Sequence, residues 1–154
     1  MKTTLSYFSL FFALLLGLSL TASAQAPTQV QAKNHLIKTS RFIGFTQMAV
    51  KNGQVKSGQL GLSVQYQRYA KALYEKGDYK KAMQFSKRAR MFASEACKEN
   101  KAKPTSDGSF TAEENALTDP MPADNVLDDE LKASGTAPVT DEQALQGNLA
   151  ITIQ

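Results

Sequence analysis

The chain offers one imidazole and one thiol, His35 and Cys97. A nucleophilic cysteine needs a base beside it, so these two are the one thiol–imidazole pair that the composition permits. Metal binding has less support. Zinc sites draw on three or four donors at short fixed spacings, and neither residue has neighbours of that kind. Asp128-Asp129-Glu130 is acidic enough for a hard cation. Consecutive carboxylates diverge, however, whereas a calcium loop alternates its ligands about a central glycine. The run reads as a solvated charge cluster. Gly53, Gly58 and Gly61 lack the Lys-Ser/Thr ending and the preceding strand of a phosphate loop. The expectation is a protein that is not an enzyme and holds no metal or cofactor.

Charge is the stronger signal. Residues 25–100 carry 14 Lys/Arg against 4 Asp/Glu, a net of +10, and residues 101–154 carry 3 against 10, a net of −7. With Lys2 this gives the overall +4. Lys80, Lys87 and Lys98 stack on one polar flank of a helical wheel, and Lys81, Arg88, Glu95 and Glu99 on the other. Arg90 is a misfit: it falls inside the apolar arc, where it must snorkel outward or meet an acidic partner. Tyr74, off the apolar face of the preceding helix, is the expected exposed aromatic anchor. Tyr74, Lys80, Lys87, Arg88, Arg90 and Lys98 therefore form the candidate interaction surface, set against the plainer reading of a solvated helix flank.

The elements that must position these residues are helices. Pro27 precedes Thr28-Gln29-Val30-Gln31, which has capping-box spacing. Leu36, Ile43 and Val50 recur every seven residues on one apolar face, and Asn52-Gly53 stops the helix. His35 lies off that face and reads as a solvated surface residue. A second helix is expected from about Ser63 to Lys76, with Leu62, Tyr66, Tyr69 and Leu73 on one side. Gly77 suits its C-terminal turn and Asp78 the N-cap of the next helix, so the connection makes an antiparallel hairpin. The third helix, Tyr79 to about Asn100, has small residues along the middle of its apolar face: Ala82, Ser86, Ala89, Ala93 and Ala96. Small residues let two helix backbones approach closely. Cys97 falls on this face and reads as a buried small apolar residue rather than an intermolecular link.

The segment YAKALYEKGDYKKAMQFSKRA, residues 69–89, resembles one tetratricopeptide repeat. The carrying residues are Ala70, Gly77, Asp78, Tyr79, Ala82 and Ala89. The proline that usually follows the second helix is missing until Pro104, and no second copy lies at a 34-residue offset. The resemblance implies a helical hairpin (residues 63–100) and a protein-binding role. The whole chain also resembles short exported proteins of Bacteroidetes-type bacteria, a likeness that implies no activity. A lone hairpin cannot bury its own apolar face. Either the first helix completes a three-helix bundle over residues 25–102, which is the preferred reading, or a second copy covers the face.

The two ends complete the plan. Residues 1–24 read as a signal peptide: Lys2, an apolar run from Leu5 to Leu20, then Ala22-Ser23-Ala24. Cleavage is expected between Ala24 and Gln25, giving a periplasmic or secreted chain with no transmembrane segment. Export makes nucleic acid an unsuitable target and another exported or envelope protein the natural partner. Residues 103–154 hold Pro, Gly and acid, one aromatic (Phe110), and helical pieces too short to persist alone. This tail is expected to be mostly disordered, and any contact with the basic bundle to be weak and salt-sensitive. The expected class is thus all-α: a small bundle of about three helices with a repeat-like hairpin, then an acidic tail. The expected function is a non-catalytic protein–protein interaction module. A self-associating structural or envelope protein is the alternative, and an enzyme the remote one.

Overall fold

The computed structural model describes residues 26–153. The proposed signal peptide and its Ala24–Gln25 cleavage point lie outside the described residues. Within them the chain is helical and has no strand: α1 (Gln29–Gly53), α2 (Gln59–Glu75), α3 (Tyr79–Glu99), α4 (Ala112–Thr118), α5 (Asp124–Ala133) and α6 (Asp141–Leu145), with a single 3₁₀ turn at Ser106–Gly108.

Helices α1, α2 and α3 form the bundle. The Thr28 hydroxyl accepts from the Gln31 backbone N–H, and the Gln31 side chain answers, so the expected capping box starts α1. Helix α2 begins at Gln59, four residues before the expected start, because Gly58 supplies a left-handed entry at φ 88°. Asp78 caps α3 through Lys81 N–H. Leu36, Ile43 and Val50 are buried as their seven-residue spacing predicts. Ala70, Ala82, Ala89, Ala93 and Ala96 are all at most 1 % exposed, so α2 and α3 pack closely through small side chains. Helix α1 fills the face that a lone hairpin would leave open.

The acidic tail corrects the expectation of disorder. Residues 103–153 wrap the bundle and contribute Leu127, Leu131, Ala144, Leu149, Ile151 and Ile153 to the buried core. Each tail helix is too short to persist in water alone, but burial against the bundle supplies what local propensity lacks. Gly108 passes over Phe42 so closely that an added Cβ would lie 2.7 Å from the ring. This explains why Phe42, off the main apolar face of α1, is buried: α1 is covered on two sides. At the far end, Gly61 of α2 meets the Val139 carbonyl, and a Cβ there would lie 2.1 Å from it. The last residues form no helix, bend at Ala150 (φ 54°) and bury Leu149, Ile151 and Ile153. Ser40 donates to the Ile151 carbonyl at 2.9 Å and Arg68 to the Leu149 carbonyl at 3.0 Å.

Candidate functional site

The candidate surface residues do not share one open face. Three of the six, Lys87, Arg88 and Arg90, are engaged by the tail. Arg90 is fully buried, and its Nη1 donates to Glu114 Oε1 at 2.9 Å and to the Ser109 carbonyl at 3.1 Å. Its Nε and Nη2 donate to the Thr39 hydroxyl at 3.0 and 2.8 Å, and Nη2 also reaches the His35 carbonyl at 3.2 Å. Arg88 pairs with Asp124 at 3.0 Å and lies over the Phe92 ring. Lys87 donates to the Thr118 hydroxyl at 3.0 Å and faces the Phe110 ring. Lys98 is exposed and pairs within its own helix, with Glu95 at 2.7 Å. Lys80 is half-buried and holds no ion pair among the described residues. Tyr74 is half-buried against Tyr79, with ring centroids 5.5 Å apart, so it is not the free anchor expected.

His35 requires the clearest correction. It is 3 % exposed, not a solvated residue, because the tail brings Glu114 over it. His35 Nδ1 lies 2.9 Å from Glu114 Oε1. Burial favours the neutral imidazole and lowers its pKa, outweighing the opposing hydrogen bond to Glu114. Burial would by itself raise the Glu114 carboxyl. Hydrogen bonds from His35 and the Thr111 backbone, with the Arg90 charge, overcome this and hold it far below the usual carboxylate range. Glu114 is therefore an ionised acceptor, and the neutral His35 must donate from Nδ1. Nε2 is left as an enclosed acceptor with no hydrogen-bond partner among the described residues. Lys38 completes the cluster by donating to Glu114 Oε2 at 3.1 Å and to the Ser109 carbonyl at 3.0 Å.

A carboxylate that orients an imidazole with a bare Nε2 is the arrangement of a general base. A cleft of about 200 Å³ adjoins it, lined in part by Gln31, Asn34, Lys38, Met83 and Leu117. Yet no hydroxyl or thiol bonds to Nε2, and the atom is closed off from solvent. Cys97 belongs elsewhere. It is buried 3.2 Å from the Thr46 hydroxyl, and burial raises its pKa. Thr46 stands eleven residues beyond His35 on α1, about 16 Å along the helix at 1.5 Å per residue. The thiol and the imidazole are thus separate features of the core. Among the described residues no group of three or more His, Cys, Asp or Glu could hold a metal ion; Asp128 meets the Tyr66 hydroxyl, Glu130 the Tyr69 hydroxyl and Asp129 Lys132.

A second arrangement lies across the α2–α3 hairpin. Tyr66, Tyr69, Phe85 and Phe92 pack their rings together, with Tyr66–Phe85 centroids at 5.8 Å and Tyr69–Phe85 at 4.7 Å edge to face. Helix α5 lies on them and buries Leu127 and Leu131, one helical turn apart. Around these leucines, Asp124 meets Arg88, Asp128 accepts from the Tyr66 hydroxyl, and Glu130 accepts from the Tyr69 hydroxyl at 3.1 Å and from Lys81 at 2.9 Å. The Asp128 charge adds to burial in raising the Tyr66 phenol above its ordinary range. Position on the wheel marked Arg88 and the tyrosines as notable. It put Lys81 on the flank of Arg88, and Asp128-Asp129-Glu130 stood out as an acidic cluster, but only the opposite charge of the two halves hinted that they meet.

Among the described residues no helix is long and apolar enough to cross a membrane. Comparison of the chain with family models, with curated proteins and with solved structures finds no match.

Proposed function

We propose that the chain is an exported, non-catalytic helical protein that acts by binding another exported or envelope protein. The observation that carries this reading is the aromatic groove of the α2–α3 hairpin, rimmed by Arg88 and Lys81. Aromatic rings beside arginine are the composition of interface hot spots. An amphipathic helix seated in a groove is a recurrent mode of protein recognition. The groove is not filled completely: beside α5 a cleft of about 360 Å³ remains, with Leu62 37 % exposed at its edge. The repeat-like sequence of residues 69–89 agrees with a binding role. The non-catalytic part of the reading is supported by the burial of His35 and Cys97 in separate hydrogen-bonded settings.

The test is capture from the envelope and secreted fractions, followed by reconstitution of the purified pair. One protein binding at defined stoichiometry, with Arg88→Glu weakening it at least tenfold, supports the reading. Failure of every captured protein to bind once purified overturns it. Export is tested separately, by the mass of the chain recovered outside the cytoplasm: a first residue at Gln25 is expected.

A further inference from the structure

We infer that the α2–α3 groove is a docking site for an acidic, leucine-bearing helix of a partner protein, and that α5 is its displaceable resident. This rests on the binding reading above and specifies the partner's chemistry. Helix α5 shows what the groove accepts. Its sequence, Asp124-Asn-Val-Leu-Asp-Asp-Glu-Leu-Lys-Ala, places Leu127 and Leu131 on one face at 1 % and 4 % exposure. Carboxylates flank that face and meet the rim of Arg88, Lys81 and the two tyrosine hydroxyls.

Leu127 and Leu131 join the core, yet several features mark α5 as its releasable part. Like α4 and α6, it is too short to hold a helix in water alone. Its N-cap is Ala123, with no side-chain cap, whereas α4 and α6 each carry a complete capping box. No bundle helix runs closely along its backbone, so it is held by side chains. Its two ion pairs with α3 are each half open to water: Asp124 is 66 % exposed against Arg88 at 15 %, and Glu130 28 % against Lys81 at 48 %. Water at one end of a pair weakens it by screening. Mostly exposed segments flank it, residues 119–123 and 134–138.

The groove is also larger than its resident. The remaining cleft runs past Leu131 and Lys132 to Leu62, Gln65 and Phe92. A longer helix, with a third apolar residue beyond the two leucines, covers Leu62 and Phe92, which α5 leaves partly open. An acidic helix gains against the cationic rim, and a basic one meets Arg88 and Lys81 with repulsion. Tethering gives α5 an effective concentration in the millimolar range, which a free partner must outcompete. Loosening α5 therefore strengthens partner binding.

The experiment uses the full chain, a Leu127→Asp/Leu131→Asp variant, and two labelled 16-residue helical peptides unrelated to α5. Both peptides carry Leu at i, i+4 and i+8. One has carboxylates at the flanking positions and the other has lysines. Fluorescence anisotropy is expected to show the acidic peptide bound at least tenfold more tightly by the variant than by the parent chain. Lys81→Glu with Arg88→Glu is expected to abolish that binding, and the lysine peptide is expected not to bind. A variant with the parent's helix content that binds neither peptide overturns the inference, as does binding indifferent to the two charge reversals. Should the variant not fold, hydrogen exchange on the parent chain decides. Amides of α5 speeding up while α2 and α3 slow down under saturating acidic peptide is the expected result. Exchange of α5 only through global unfolding overturns it. A concentration-dependent dimer lost in the variant places a second copy's α5 in the groove and also overturns it. A natural partner captured and reconstituted without dependence on Lys81 or Arg88 leaves the binding reading standing and removes this site.

Discussion

At the residue scale, the chain turns on Glu114. One carboxylate receives Arg90, Lys38, the His35 imidazole and the Thr111 backbone, so four positive or donating groups converge on it. A buried pair contributes modestly when whole, because desolvation offsets most of the Coulomb gain, but breaking it strands a charge. Arg90 has no exposed surface to which it could retreat. Glu114→Gln is therefore expected to destabilise the fold by roughly 3–5 kcal/mol, read from urea midpoints. The double change Arg90→Met with Glu114→Gln is expected to cost less than Glu114→Gln alone, since no charge is then left unpaired. The pH dependence follows from the same cluster. The folded state holds His35 below its ordinary pKa of 6.5, so as pH falls through that value the unfolded chain takes up a proton that the folded one refuses. Stability is then lost on acidification, by at most about 1.4 kcal/mol per pH unit. Glu114 acts in the same sense at lower pH. Its stabilisation is complete above the ordinary 4.5 and fades as pH falls below it, because the unfolded carboxyl protonates first. Urea midpoints at pH 7.5, 5.5 and 4 are expected to fall in that order. His35→Gln is expected to flatten the first interval and to shrink the second to the part that Glu114 contributes.

At the element scale, the local signals were legible and the long-range ones were not. Thr28 starts α1 with the box read from spacing alone, because a cap needs only residues three apart, and Thr111 and Thr140 start α4 and α6 with boxes of the same spacing. Ala82, Ala89, Ala93 and Ala96 marked the α2–α3 contact for the same reason: period is a local property. The burial of His35 is not legible in the sequence, because its partner lies 79 residues away and no periodicity reports such a contact. Arg90 inside the apolar arc was the one legible sign of a buried carboxylate, though not of which one. The start of α2 shows the same limit. Gly58 has no side chain with which to cap, and nothing nearby replaces it. Asp141, from the tail, accepts from the Gly58 and Gly61 N–H groups at 2.7 Å each. It serves as a cap from 80 residues away, its charge set against the positive end of the helix dipole. Asp141→Ala is expected to destabilise by about 1–2 kcal/mol, the range of a lost N-cap. Hydrogen exchange is expected to quicken at Gly58–Leu62 first; unchanged exchange there removes the capping role.

At the scale of the whole molecule, the tail decides whether the bundle is a domain or a fragment. Leu127, Leu131, Leu149, Ile151 and Ile153 are each at most 8 % exposed, and all five come from beyond residue 103. Burying a side chain of this size stabilises by about 1.5–3 kcal/mol. These are upper figures, since the unfolded chain already hides part of its apolar surface. Even discounted, five of them match the whole net stability of a small domain, about 5–15 kcal/mol. Removing the tail also strips Glu114 from Arg90 and Asp141 from α2. A chain ending at Lys103 is therefore expected to lose cooperative thermal unfolding in circular dichroism, or to self-associate through the uncovered face in light scattering, while the full chain unfolds in one step. Salt separates the two kinds of contact the tail makes. The exposed pairs Arg41–Asp107 and Lys56–Glu142 are screened at high ionic strength and contribute little at any. The Glu114 cluster and the leucines are shielded from solvent. The full chain is accordingly expected to keep its unfolding midpoint within a few degrees between 0.05 and 0.5 M salt. A collapse of the midpoint over that range would mean that surface charge, rather than burial, holds the tail in place.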